Sequence, residues 1–181
     1  MPMQNVFTGK TARIMLNSTA PTPEGKDASV ILKTSFAPDA PVVVGRATGI
    51  QVAVQTDLEE FHEIGHRHPI VLQPGDIHIS GSLDRAYIAG GLVMLLLGRR
   101  AQQSAQPDIY VQPSFTIQLD LNDPNVPTNT AELVIDGVKF QNWGFKMPED
   151  DVVMENVSFR ALTISVIDTE DGKAQTYGFA S

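Results

Sequence analysis

Apolar and polar residues alternate with a period of two through much of this chain. Between Ser114 and Leu121, Phe115, Ile117, Leu119 and Leu121 fall on one side, and Ser114, Thr116, Gln118 and Asp120 fall on the other. That is the pattern of a strand with one face buried. Ile50 to Gln55 alternates in the same way, as does Val30-Ile31-Leu32-Lys33 with Phe36 following, and both are read as strands. Near the C-terminal end, Val157, Phe159 and Ala161 share a face that Leu162, Ile164 and Val166 then take over. The phase slips by one residue at Ala161–Leu162, which predicts a β-bulge of the kind that bends strands in curved sheets. Asp136-Gly137 separates Leu133-Val134-Ile135 from Val138-Lys139-Phe140; a tight hairpin turn and a bulge are both compatible with it. Asp168 to Lys173 is predicted to turn the chain into a final strand around Gln175 to Phe179.

One segment has no such alternation. Leu92-Val93-Met94-Leu95-Leu96-Leu97 is apolar on every side, and a helix over about 83–97 is predicted, with Ser82 as N-cap, Asp84 in the first turn and Gly98 just past the end. A surface helix needs only an apolar stripe, so burial on several sides implies cover from a second element or a neighbouring subunit. Gly90-Gly91 weakens the helix by about 1 kcal/mol per residue relative to Ala, and close backbone packing is the usual reason for such residues. Segments 17–27, 101–107 and 122–130, rich in Pro, Thr, Asn and Gln, read as surface loops or arms. No internal repeat is visible. The expected fold is mainly β (α+β): a β-sandwich or barrel with one buried helix, forming a single domain over residues 1–181.

Composition narrows the function. The 181 residues are 42% hydrophobic and 19% charged, with a formal net charge of −8. An acidic surface repels phosphate backbones, which disfavours sequence-independent nucleic-acid binding. The absence of cysteine removes disulfide scaffolds, thiol catalysis and cysteine-based metal sites. Met1-Pro2-Met3-Gln4-Asn5 does not begin a basic region followed by an apolar run, so no signal peptide is expected. The longest apolar stretch, Ala86 to Leu97, is short of the roughly 20 residues of a membrane helix. A soluble, intracellular chain is expected on those grounds.

The run His62-Glu63-Ile64-Gly65-His66 matches the H-E-x-x-H pattern, which on a helix sets two imidazoles one turn apart for zinc with the Glu as general base. Its surroundings argue against that chemistry. Gly65 lies inside the run and Pro69 follows closely, so a helix there would end almost at once. Asp57-Leu58-Glu59-Glu60 is mostly charged, with no apolar face to bury. The extended pattern would place a glycine at position 69 and a histidine at position 72, where this chain has Pro69 and Leu72. Five residues with two free positions recur by chance. A polar strand end entering a loop accounts for the run, although His62, His66, His68 and His78 could gather adventitious metal at an interface. Ser80-Gly81-Ser82 has no nucleophile-elbow context and Gly90-Gly91 is not a phosphate loop. Glu59-Glu60 and Asp150-Asp151 read as solvated turns. No catalytic residue, metal ligand or cofactor site is assigned.

Two stretches resemble the tail tube proteins of long-tailed bacteriophages. The first runs from Leu58 to Gly65, then Pro69 to Leu72, Pro74-Gly75, and Ile79-Ser80-Gly81-Ser82-Leu83-Asp84-Arg85-Ala86-Tyr87-Ile88. In that family a strand enters an E-x-x-E-[IVL]-G element, a Pro-Gly turn follows, and a strand end resembling Ser80 to Arg85 opens the helix. The second is Gly137-Val138-Lys139-Phe140, Met147-Pro148 and Val153 to Leu162, similar to the family's C-terminal strands. Together they span roughly half the chain; segments 17–27 and 99–113 match nothing in the family.

The resemblance implies a fold shared with the type VI secretion tube protein, and homohexameric rings stacked into a hollow tube through which DNA passes without specific binding. It implies partners among tape-measure, tail-terminator, baseplate and sheath proteins, and a place in the virion tail after assembly in the host cytoplasm. A related baseplate or type VI tube component is the nearest alternative; a zinc hydrolase on His62, Glu63 and His66 is the alternative of another class. Three features of the residues agree with a tube. Inter-subunit pairing protects edge strands, an all-round apolar helix suits a subunit contact, and a negative wall does not hold DNA. Segment 57–78 is expected to be an extended arm. The expected subunit contacts are Glu59, Glu60, Phe61, His62, Glu63, Ile64, His66, Arg67, His68, Arg85, Leu92 and Leu96.

Overall fold

The computed structural model describes residues 7–18, 20–37, 41–87, 89–98 and 111–178. In chain order these form β1 (Arg13–Asn17), α1 (Pro23–Ser35), β2 (Val42–Val43), β3 (Ala47–Phe61), β4 (Val71–Ala86), α2 (Gly91–Leu97), β5 (Phe115–Asn122), β6 (Thr130–Lys146), β7 (Met154–Ala161), β8 (Thr163–Glu170) and β9 (Lys173–Gly178). All pairings are antiparallel. The path β2-β1-β5-β6-β7-β4-β3 is open at both ends, with β8 and β9 joined to the side of β6. The sheet is therefore mainly β as expected, but it does not close into a barrel.

Asp136-Gly137 is what folds the sheet. It lies inside β6, where Phe115 pairs with Val138 but Ile117 pairs with Ile135, so β6 carries one residue more than β5. Gly137 takes φ +65°, a left-handed value that costs a residue with a Cβ, and the extra residue makes this a bulge. Before it, β6 lies between β5 and β8; after it, β6 pairs with β7. The phase slip predicted at Ala161–Leu162 falls opposite. Leu162 separates β7 from β8, donates its N–H to the Asp136 carbonyl at 3.0 Å, and lies over Gly137. Both chain segments turn the same corner together.

The core fills the angle so made. Ile117, Ile135 and Leu16 come from one half of the sheet and Leu83, Val157, Phe159 and Phe140 from the other, all essentially without solvent contact. Phe115 and Phe140 meet edge to face at 4.9 Å. Each fully buried side chain of this size contributes about 1.5–3 kcal/mol.

Two helices among the described residues cover that core, where one was expected. Val30 to Lys33 is not a strand but lies in the second half of α1, with Phe36 at its C-cap. Thr22 caps it by accepting from the Gly25 N–H at 3.2 Å, Pro23 opens it, and Glu24 and Lys33 suit its two ends. Ala28, Ile31 and Leu32 form its buried stripe. The Pro23 to Asp27 part of the expected loop 17–27 is thus helical. The helix expected over 83–97 is shorter. Ser82 to Ala86 belong to β4, where Leu83 and Arg85 point inward and hydrogen-bonded partners flank the strand on both sides. Two ladders outweigh a capping pattern, and α2 begins only at Gly91. Its end is as expected, with Gly98 at φ +82° donating to the Met94 carbonyl. Leu92 and Leu95 are wholly buried, against β6 and α1, so the second covering element is α1; Gly91 lies against the Phe36 ring. No helix among the described residues is long and apolar enough to cross a membrane.

β5 forms where the alternation placed it, whereas the turn expected over Asp168 to Lys173 narrows to Asp171-Gly172, because Asp168 to Glu170 pair as the end of β8 with β9, which already begins at Lys173. Residues 99–110 of the expected loop 99–113, and Phe179 of the last strand, lie outside the described residues.

Candidate assembly surface

The segment expected as an irregular arm is a long β-hairpin. β3 and β4 pair from Ala47↔Arg85 to Phe61↔Val71. β4 has β7 on its other side only from Ile79, paired with Ala161, to Ala86, paired with Met154. Beyond Ile79 the strands have only each other, so residues 54–61 and 71–78 leave the body as a two-stranded ribbon. A free ribbon is marginally stable in water.

The two ribbon faces differ. Val54, Thr56, Leu58 and Glu60 pair with Ile79, Ile77, Pro74 and Leu72, and strand alternation puts these eight on the face that carries Val52 and Ile79 into the core. The core face thus continues off the protein, leaving Val54, Leu58, Leu72 and Ile77 exposed. The other face holds Gln55, Asp57, Glu59, Gln73 and His78, with Phe61 and Val71 near the tip. Asp57 Oδ2 lies 2.9 Å from His78 Nε2. The expected Pro-Gly turn at Pro74-Gly75 is instead inside β4, at a register shift opposite Asp57. Pro74 lacks an N–H and sits where β4 has no second neighbour, the edge position in which a sheet tolerates proline.

The true turn spans residues 62–70 and contains the whole of His62 to His66. Ile64-Gly65 is its bend, Gly65 has φ +91°, and the His66 N–H donates to the Glu63 carbonyl at 3.1 Å. His62 Nε2 is 3.2 Å from a Glu60 carboxylate oxygen and His66 Nε2 is 3.9 Å from one of Glu63, all four side chains about half exposed or more. The two imidazoles are not on one helix face, which is the geometry that the zinc-protease reading requires. Among the described residues no group of three or more His, Cys, Asp or Glu is placed to hold a metal.

Of the expected contact residues, Glu59, Glu60, Phe61, His62, Glu63, Ile64, His66, Arg67 and His68 share this ribbon end and are exposed. Leu96 is half-buried on α2. Arg85 and Leu92 do not belong with them. Leu92 is inside the core, and Arg85 is buried in an ion pair with Glu155, so neither offers surface to a neighbour. Glu155 also accepts from Trp143 Nε1 at 3.0 Å, and the Arg85 guanidinium donates to the Ala89 carbonyl at 3.1 Å and lies 5.3 Å from the Phe36 ring centre. Sequence reading missed Val54, Leu58, Leu72 and Ile77. The alternation that marked Ile50 to Gln55 continues through Leu58 and was the available signal.

The sheet edge adds to this surface. β3 ends the sheet path, so among the described residues no strand lies beside its outer row of N–H and C=O groups over Ala47–Phe61, which makes it a template for pairing. No protein-family model matches the chain, and no curated protein matches it in sequence. Its backbone does match solved structures. The anti-feeding prophage cap, an AFP tube terminating cap, is 8% identical, with 92% of this chain on 93% of that one and a TM-score of 0.57. Hcp1 from Salmonella typhimurium is 12% identical, with 93% of this chain on 94% of that one and a TM-score of 0.51.

The fold is tail-tube-like. A chain of the PVC extracellular contractile injection system, in its extended sheath–tube complex, also matches, at 8% identity over 92% of this chain and 89% of that one with a TM-score of 0.51.

Proposed function

We propose that this chain is a structural subunit that assembles with copies of itself into a tube, six to a ring and ring upon ring, and that it acts by contact rather than by catalysis. One observation carries the reading: the core face of the sheet runs off the body along residues 54–78 beside an unpaired β3 edge. Each needs a neighbour, apolar for the face and hydrogen-bonding for the edge. A neighbouring copy that extended the sheet past β3 would supply both, and repetition around a ring would close the sheet that is open in one chain. The tail-tube-like fold supports the reading. The net charge of −8 suits a channel wall along which DNA slides without adhering. Tape-measure, terminator, baseplate and sheath proteins are the further partners of such a tube, and its place is a phage tail or a contractile injection system, after assembly in the host cytoplasm.

The likeness to a tube terminating cap favours a second reading, a ring that closes a tube without extending it. Electron microscopy of the purified protein separates the two. Tubes of many rings support the first, single six-fold rings the second, and a monodisperse monomer at every concentration overturns both.

A further inference from the structure

All four histidines of the chain lie in the ribbon: His62, His66 and His68 in its turn and His78 on β4. So do five carboxylates, Asp57, Glu59, Glu60, Glu63 and Asp76, against one arginine, Arg67. With the histidines neutral, residues 54–78 carry a formal charge of −4, half of the chain's −8. With all four protonated, the same residues carry none. No side chain elsewhere in the sequence has its ordinary titration between about pH 5 and 8, the range in which histidine changes charge.

The histidines stand beside the carboxylates. His78 Nε2 is 2.9 Å from Asp57 Oδ2, His62 Nε2 is 3.2 Å from Glu60 Oε2, and His66 Nε2 is 3.9 Å from Glu63 Oε2. These side chains, with His68, Glu59 and Asp76, are exposed and exchange protons with solvent. From the body, Arg160 of β7 lines one hollow with His78 and donates to the Gln141 side chain at 3.2 Å. Beyond Ile79 no described strand other than β3 and β4 themselves flanks the ribbon. Its charge therefore follows the pH of the solution.

That charge sits around a surface that needs cover, since Val54, Leu58, Leu72 and Ile77 are exposed on the ribbon. Covering them with a second copy brings two negative partners together: a ribbon at −4 and a neighbour whose residues outside the ribbon also sum to −4. At physiological salt such charges act over about 8 Å, so repulsion opposes apolar burial while the histidines are neutral. Protonation removes the ribbon's share of it. We infer that the ribbon is a proton-sensitive switch, opposing association of copies near pH 8 and permitting it as the histidines charge toward about pH 6. The sign follows from linkage: the assembled state holds the histidine protons more tightly, so association strengthens as pH falls. This rests on the tube reading and adds the regulation of its assembly.

Sedimentation velocity and micrographs of the full chain at about pH 8 and about pH 6 test the switch. Wild type is expected to form rings or tubes at a concentration about tenfold lower at the lower pH. A chain carrying His62→Gln, His66→Gln, His68→Gln and His78→Gln should assemble at one concentration at both. A chain carrying Asp57→Asn, Glu59→Gln, Glu60→Gln and Glu63→Gln, whose ribbon is neutral at pH 8, should assemble there as wild type does at pH 6. All eight positions are exposed, and circular dichroism confirms that each variant is folded. Wild-type assembly no better at pH 6 than at pH 8 would overturn the switch and leave the tube reading standing. A pH response kept by the histidine variant, or no gain at pH 8 in the neutral-ribbon variant, would do the same. Wild type and neutral-ribbon variant both monomeric at every pH would remove the tube reading and the switch with it.

Discussion

Arg85 and Glu155 face each other across β4 and β7 as a buried ion pair, seventy positions apart in sequence and both within 2% of full burial. The guanidinium and carboxylate find all their partners inside the chain, in Ala89, Trp143 and one another. Removing one partner leaves the other charge stranded away from water, at a cost of about 3–5 kcal/mol. Glu155→Ala is therefore expected to lower the unfolding free energy from urea titration by that amount. Arg85→Met with Glu155→Leu should recover most of it, short of the bond lost by the Trp143 indole, about 1 kcal/mol. Equal losses in the single and double variants would show that the pair itself is not what matters.

Leu92 and Leu97 occupy one helix but not one environment. Leu92 has no solvent contact and Leu97 is nearly half exposed. Leu92→Ala should cost about 2–5 kcal/mol through lost transfer energy and a residual cavity, and Leu97→Ala about 0.5 kcal/mol or less. Thermal unfolding of the two variants reads the difference. Similar values would mean that the helix is turned the other way.

At Gly81 the close approach of neighbours leaves no room for a side chain. A Cβ there would lie 2.4 Å from the Gln51 carbonyl oxygen and 2.4 Å from the Phe159 ring, and the oxygen belongs to backbone held in the β3–β4 ladder. Gly81→Ala is expected to destabilise by about 1–3 kcal/mol or more, measured by denaturant unfolding. An unchanged midpoint would show that β3 gives way freely.

Leu58 and Leu72 stand exposed on the ribbon's apolar face, uncovered by any of the described residues. Leu58→Ser with Leu72→Ser should leave monomer stability within about 0.5 kcal/mol while reducing assembly, followed by sedimentation velocity and electron microscopy. Undiminished assembly would mean that this face is not a contact.

The run His62 to His66 is a turn, and its side chains have no tertiary role. Glu63→Gln and His66→Ala should each leave the unfolding free energy unchanged within about 0.5 kcal/mol, with and without added zinc. Loss of a zinc-dependent peptidase activity in Glu63→Gln would restore the hydrolase reading.

Local pattern made several features legible. The alternation from Phe115 to Leu121, the slip at Ala161–Leu162, the left-handed Gly98 and the clash of Gly65 and Pro69 with a helical zinc site all depend on residues close in sequence, and each was read from them. Segment 57–78 was also legible as an arm, because its charge and turn content leave little to bury. α1 was misread because Val30-Ile31-Leu32 is a short continuous apolar run, which periodicity alone does not assign to strand or helix. The capping signature at Thr22-Pro23-Glu24 was present in the sequence and went unread. What only the tertiary structure decided is how far each strand is accompanied. Ser82 to Ala86 looks like a helix start until β3 and β7 pair with it on both sides, and Arg85 looks like a surface cation until β7 brings Glu155 opposite. The ribbon's apolar face follows from the same cause. Val54, Leu58, Leu72 and Ile77 are ordinary strand residues in the sequence, and they become an assembly surface because β7 stops at Ala161 while β3 and β4 continue without it.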